Sequence, residues 1–231
     1  MDSNEGPFSR EALLIGEEGL ARLAGAHVAV FGIGGVGSFC AEALIRAGIG
    51  EITLVDSDTV QPSNMNRQLI ALTSTVGRPK AEVMAERALD INPMVKVHPK
   101  KAWFGEDTVE EIFGVRYDYV ADAIDSVYSK LLLIRTCLDR DIPIVSSMGA
   151  GNKLDASGFK TADISKTHTC PLAKAIRVGL RKQGIHKGLE VVFSVSEPVA
   201  QTQGPPGSIS YVPPTAGLLM AQAVITGLLK G

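Results

Sequence analysis

Cysteine is scarce in this 231-residue chain: Cys40, Cys137 and Cys170 are an odd number with no CxxC pair. That argues against a disulfide framework or a cysteine-based structural zinc site, and it predicts a reducing, cytoplasmic setting. Neither sign of charge is in excess, since 23 Lys and Arg against 25 Asp and Glu leave a net charge of -2. No global positive field draws in nucleic acid, so any such partner has to be held by a local patch. The start, "MDSNEGPFSREALLIG", lacks the apolar core of a signal peptide and the Arg-rich, acid-poor pattern of a transit peptide. Long apolar runs are missing as well: "TAGLLMAQAVITGLL" is interrupted by Gly217, Gln222 and Gly227, and reads as too short to span a bilayer. There is no internal repeat and no low-complexity tail. What remains is 45% apolar and 21% charged residues, a composition suited to one sizeable domain over 1–231 that folds in water.

The patterning predicts strands and helices in alternation. A leading helix over Ser9 to Leu23 sets Leu13, Leu14, Leu20 and Leu23 at helical spacing behind a Ser9 cap. "HVAVFG" reads as a buried strand, "GSFCAEALIRAGIG" as a helix, "EITLVD" as a strand, "KAEVMAERALDIN" as a helix stopped before Pro93, and "VKVHPK" as a short strand. "YDYVADAID", "SKLLLIRTCLDRD" and "IPIVSS" repeat the alternation. Near-continuously apolar strands separated by helices indicate an α/β fold, a Rossmann-like, mostly parallel sheet covered on both faces. Residues 148–213 break the regularity and are expected to be a crossover and insertion carrying substrate contacts; "EVVFSVSEP" is read as a strand, 201–217 as a proline-ordered loop and 215–229 as a final helix.

"GIGGVG" places Gly32, Gly34, Gly35 and Gly37 in a GxGxxG pattern between a strand and a helix. Such glycines allow a tight turn and close backbone approach, and the helix N-terminus favours a phosphate. Asp56 follows about 20 residues later, where an acidic side chain takes the ribose. The glycines alone do not separate NAD, FAD and ATP. The stretch "MNRQLIALTSTVGRPKAE" does: hydride transfer needs no extra cations there, whereas breaking an ATP phosphate bond needs them for the leaving pyrophosphate. Arg67 and Lys80 are the candidates, with Asn66 and Gln68 as neutral partners and Asp58 beside the ribose carboxylate. Read singly, Arg67 is a surface loop residue and Lys80 a solvated charge, but a cation in the first turn of a helix opposes the dipole and wants a reason. In "DAIDS", Asp125 at a strand's C-terminal end faces the crevice and suggests a magnesium ion, while Asp122 serves equally as a cap for the next helix.

"GIGGVGS", "LVDSDTV", "SNMNRQ", "VGRPKAE" and "DAIDS", in that order, resemble the ubiquitin-activating-enzyme-like (ThiF-type) adenylating superfamily over roughly residues 9 to 150. Within it, "FGIGGVGSFCAEAL", "IPIVSSMGAGNK", "ADISKTHTCPLAK" and "YVPPTAG" are similar to the tRNA threonylcarbamoyladenosine dehydratases, across nearly the whole chain. That resemblance implies an ATP- and magnesium-dependent enzyme that adenylates the threonyl carboxylate of the modified adenosine in tRNA and lets the carbamoyl nitrogen close a ring. It assigns Asp56 to the ribose, Asn66 and Arg67 to the phosphates, Lys80 to the triphosphate, and Asp125 to the metal. It also implies a homodimer, with Arg10 reaching the partner's triphosphate. A monovalent cation near "SSMGAGN" is left open.

Paired zinc cysteines and a sulfur-transfer domain, common among sulfur-carrier adenylyltransferases, are missing, which favours the tRNA branch. The alternative is activation of the C-terminal glycine of a sulfur-carrier protein, with a sulfur-transfer protein as partner. Cys170, in "HTCP" beside His168, is weighed as a nucleophile against a plain helix-start cysteine. Cys40 and Cys137 read as small core residues. Lys174, Arg177, Arg181, Lys182, His186 and Lys187 form a basic stripe expected to contact tRNA phosphates, unless it is only a solvated helix face. His27 and His98 fall in strands and read as ordinary core or edge residues.

Overall fold

The computed structural model describes residues 6–199, 204 and 206–230. Along the chain run α1 (Ser9–Gly25), β1 (His27–Phe31), α2 (Gly37–Arg46), β2 (Glu51–Val55), α3 (Lys80–Ile91), β3 (Lys96–Lys100) and α4 (Val109–Ile112). β4 (Tyr119–Asp122), α5 (Val127–Asp139), β5 (Ile144–Ser147), β6 (Phe159–Asp163), α6 (Pro171–Lys182), β7 (Glu190–Ser194) and α7 (Val212–Lys230) complete it. The seven strands form one sheet in the order β3-β2-β1-β4-β5-β7-β6, parallel throughout except for β6 against β7. The α/β, mostly parallel architecture is the one the alternating pattern predicts.

β1 and β2 each begin on a half-buried residue and then bury four in succession, because helices cover both faces. Val28 and Val30 face a core built with α1, α2, α3 and α7, while Ala29 and Phe31 face a second core built with α4, α5 and α6. β3 sits at the sheet edge, which tolerates its Pro99 and its mostly exposed residues. The chain builds outward from β1 to β3 and then returns to lay β4 on the other side of β1. The crevice where such an order reverses is where ligands bind in open α/β sheets.

Several expectations change. α1 is broken at Gly16 (φ 69°), Phe8 rather than Ser9 occupies its cap position, and Leu13 and Leu14 stand 86% and 87% exposed. Residues 148–213 are more regular than expected, holding β6, α6 and β7, although the 201–217 loop falls partly outside the described residues. α7 runs longer than its sequence reading, with Pro213 and Pro214 in its first turn, where no backbone donor is needed. Among the described residues it is the one helix long and apolar enough to cross a membrane. Its Val212, Ala216, Met220 and Val224 are nevertheless fully buried on the sheet, and a side chain on Gly217 would meet the Val36 carbonyl at 2.2 Å. That makes it a core helix.

Asp122 does not cap α5; Ser126 does, accepting from the Ser129 amide. Asp122 is fully buried instead, where Lys130 Nζ donates to its Oδ2 at 2.7 Å and Ser146 Oγ donates to the same oxygen at 2.6 Å. Burial pushes the Lys130 ammonium down from its ordinary pKa, and the Asp122 carboxylate opposes that shift. The network pins β4, α5 and β5 just below the crevice.

Candidate active site

The glycine loop leaves β1 with Gly32 at φ 84° and its amide bonded to the Val55 carbonyl at 2.8 Å. A side chain on Gly32 would come within 2.8 Å of the Ala123 carbonyl, and one on Gly37 within 1.7 Å of the Gly32 carbonyl. The turn is therefore closed to any other residue at both positions. Gly34 and Gly35 lie in the wall of a crevice of about 440 Å³ at the C-terminal ends of β1, β2 and β4.

Asp56 follows β2 and enters the same crevice. Its Oδ2 accepts from the Ile33 amide at 2.6 Å and its Oδ1 from the Asp58 amide at 2.8 Å. Burial pushes its carboxyl pKa up, against the pull of Lys80 and of those two amides. Each oxygen retains acceptor capacity, which is what a pair of ribose hydroxyls requires.

Lys80 is the first residue of α3 and is only 5% exposed, with its Nζ 2.8 Å from Asp58 Oδ2. Asp58 is largely solvated, so the ammonium is held at the wall by a partner that an incoming phosphate can replace. Arg67 also lines the crevice, its guanidinium steadied by the Ser63 carbonyl at 2.9 Å and Asn66 Oδ1 at 3.0 Å. Asn66 itself is exposed and donates to the Ser208 carbonyl, so it positions Arg67 while Asn64, two residues earlier, takes the wall position. Asp125 stands exposed on the opposite wall, after β4, and makes no hydrogen bond or ion pair among the described residues.

Three side-chain atoms among the described residues are buried without a hydrogen-bond partner: Gln68 Oε1, Ser129 Oγ and Ser208 Oγ. All three residues line this crevice. Orphaned polar atoms are costly, and their convergence at one place marks a site that expects a polar ligand. Asn64, Ser129, Ser208 and Trp103 carry no signal of their own in the sequence; only the "SNMNRQ" motif points near any of them.

Residues 8–231 match the ThiF family. The chain belongs to that family. The tRNA threonylcarbamoyladenosine dehydratase of Bacillus subtilis is 49% identical, covering 96% of this chain and 94% of the relative. The enzyme of the same name from Escherichia coli is 45% identical over 81% of this chain and 72% of its own length. A crystal structure of the E. coli tRNA N6-threonylcarbamoyladenosine dehydratase in complex with ATP superimposes with a TM-score of 0.91 at 40% identity, covering 97% of this chain and 94% of that one.

The remaining candidates of this ThiF-family chain do not line the crevice. Arg10 is exposed on α1 and is not in the crevice wall. Cys170 is 3% exposed at the start of α6, packed against Gly149, a helix-start cysteine rather than a free nucleophile. Cys40 and Cys137 are core residues whose thiols burial pushes up, that of Cys40 to about 12. Lys174, Arg181, Lys182, His186 and Lys187 are exposed on α6 and its exit, while Arg177 is tied to Thr167. α6 starts against Gly149, next to Ala150 and Gly151 of the crevice wall, so the stripe begins near the rim.

Proposed function

We propose that this protein uses ATP and Mg²⁺ to dehydrate N6-threonylcarbamoyladenosine in tRNA. The observation that carries the reading is the extent of the likeness, which covers 96% of this chain against the Bacillus subtilis relative and 97% against the Escherichia coli structure. The orphaned polar atoms of the crevice support a bound nucleotide. A carboxylate is a poor electrophile, so its oxygen first attacks the α-phosphorus of ATP and pyrophosphate leaves. Lys80 and Arg67 balance the charge gathering on that leaving group. The carbamoyl nitrogen, already in the same molecule, then attacks the acyl carbon; the acyl C–O bond breaks, AMP departs with the oxygen, the nitrogen gives up its proton, and the nucleoside is lighter by one water. Asp56 holds the ribose throughout. Asp125 would hold a magnesium ion, which would supply charge neutralisation on the phosphate oxygens.

Pyrophosphate release should require tRNA bearing the modification. Release with a sulfur-carrier protein instead would move the assignment to the adenylyltransferase alternative. A potassium-for-sodium exchange during the same assay tests a monovalent cation at the 146–152 loop.

A homodimer in a reducing, cytoplasmic setting completes the reading. Leu13 and Leu14, exposed on the same broken segment as Arg10, support a partner on that face. If Arg10 acts on the partner's site, mixing Arg10→Ala protein with Lys80→Ala protein should restore activity that neither has alone. No gain on mixing would show that Arg10 does not act on the partner's site. The α6 stripe supplies the tRNA contacts: replacing Lys174, Arg181 and Lys182 by alanine should weaken tRNA binding and flatten its salt dependence by roughly one unit of slope per lost phosphate contact. An unaltered slope would make the stripe a solvated helix face.

A further inference from the structure

His27 opens β1, Glu51 opens β2 directly beside it in register, and His98 lies in β3 opposite Thr53. With a side-chain period of two, all four project from the same face of three adjacent strands. His27 and Glu51 start their strands, about four residues, or roughly 13 Å, from the crevice end, and Thr53 and His98 lie at mid-strand. Their sequence context marks the two histidines as ordinary strand residues; the fold places them in one cluster.

We propose that His27, Glu51 and His98 form a binding site for one zinc-class divalent ion. One potential ligand atom from each lies within 4.8 Å of the others. His98 Nε2 is 2.8 Å and His27 Nδ1 is 3.7 Å from the same Glu51 oxygen, Oε1. The longer separation is too great for a hydrogen bond, yet it is close to the edge of about 3.4 Å that two ligands share around a tetrahedral zinc with bonds near 2.0–2.1 Å. The other nitrogen of His27 is already engaged, with Nε2 2.8 Å from the hydroxyl of the buried Thr53. A metal-bound imidazole uses its second nitrogen in this way, and the contact fixes the ring with Nδ1 toward Glu51.

Two imidazoles and one carboxylate select a borderline transition metal over magnesium or calcium, which prefer all-oxygen shells, and they leave a fourth position for water. The ion ties together β1, β2 and the edge strand β3. Two of those strands carry, at their far ends, the glycine turn and Asp56, so the clamp steadies the floor on which the nucleotide cradle stands.

The test uses the full chain without a histidine tag, stripped with a chelator and titrated with Zn²⁺. One ion per chain should bind with a Kd in the micromolar range or tighter, Co²⁺ should give the intense visible absorption of a four-coordinate site, and saturating zinc should raise Tm by roughly 5–10 °C. His98→Ala and Glu51→Gln, both at partly exposed positions, should each weaken binding at least a hundredfold, and Thr53→Val about tenfold. Asp125→Asn should leave zinc binding unchanged, separating this site from the crevice. Substoichiometric zinc, or binding retained in both ligand variants, would overturn the proposal.

Discussion

Replacing Lys80 with alanine is expected to lower ATP-dependent turnover by about a hundredfold, or about 2.7 kcal/mol of transition-state stabilisation, in a protein that remains folded. The ammonium sits almost fully buried in the crevice wall at the first turn of α3, where the helix dipole works against it. Its one ion-pair partner among the described residues, Asp58, has a side chain that is 65% exposed and stays hydrated when the ammonium is removed. The stability cost is therefore small, while the leaving pyrophosphate loses its nearest point charge. Steady-state turnover beside a thermal melt separates the two effects. Full turnover in a folded Lys80→Ala protein would remove this residue from the chemistry. Lys80→Arg is not expected to substitute well, because a planar fork does not fit the place of a compact ammonium.

Asp122→Ala should cost far more stability than Lys80→Ala. Lys130 and Asp122 are both fully buried, so truncating the carboxylate leaves the cation with the Ser146 hydroxyl as its one hydrogen-bond partner among the described residues. Breaking a buried pair in this way costs about 3–5 kcal/mol. For a chain of this length that lowers Tm by roughly 6–20 °C. Exchanging both partners, as Asp122→Ala with Lys130→Met, removes the stranded charge and should recover at least half of the loss. A double variant as unstable as Asp122→Ala would show that packing, not the ion pair, holds this point between β4 and β5.

The parts of the molecule legible in the sequence are those where one local rule decides the outcome. β1 and β2 are apolar because both sheet faces are covered, and Gly32 and Gly37 stand where no Cβ fits, so strand, turn and cradle can be read directly. Asp56 is located by its distance from those glycines. Lys80 stands out because its charge sits badly at a helix start unless something anionic comes to it. The rest depends on tertiary partners. β6 pairs only with β7 and needs no apolar pattern of its own, so its sequence reads as irregular chain. Asp125, the more distal of the two, is legible as the crevice carboxylate, whereas the burial of Asp122 depends on Lys130, eight residues on, and is not legible from its own surroundings. Asn64 ends a 3-10 turn over Pro62–Asn64 and Asn66 lies two residues past it, and which amide reaches the wall is set by that turn, not by the motif. Gly16 breaks α1 although the leucine spacing around it is helical, which leaves Leu13 and Leu14 outside the core of this chain.

The most direct test of the central claim is a mass measurement. Purified protein is incubated with ATP, magnesium and tRNA carrying threonylcarbamoyladenosine, the RNA is digested, and the modified nucleoside is weighed. The expected product is one water lighter, formed only when ATP is present and lost in Lys80→Ala. An unchanged nucleoside mass, with protein that is folded and binds ATP, would contradict the assignment.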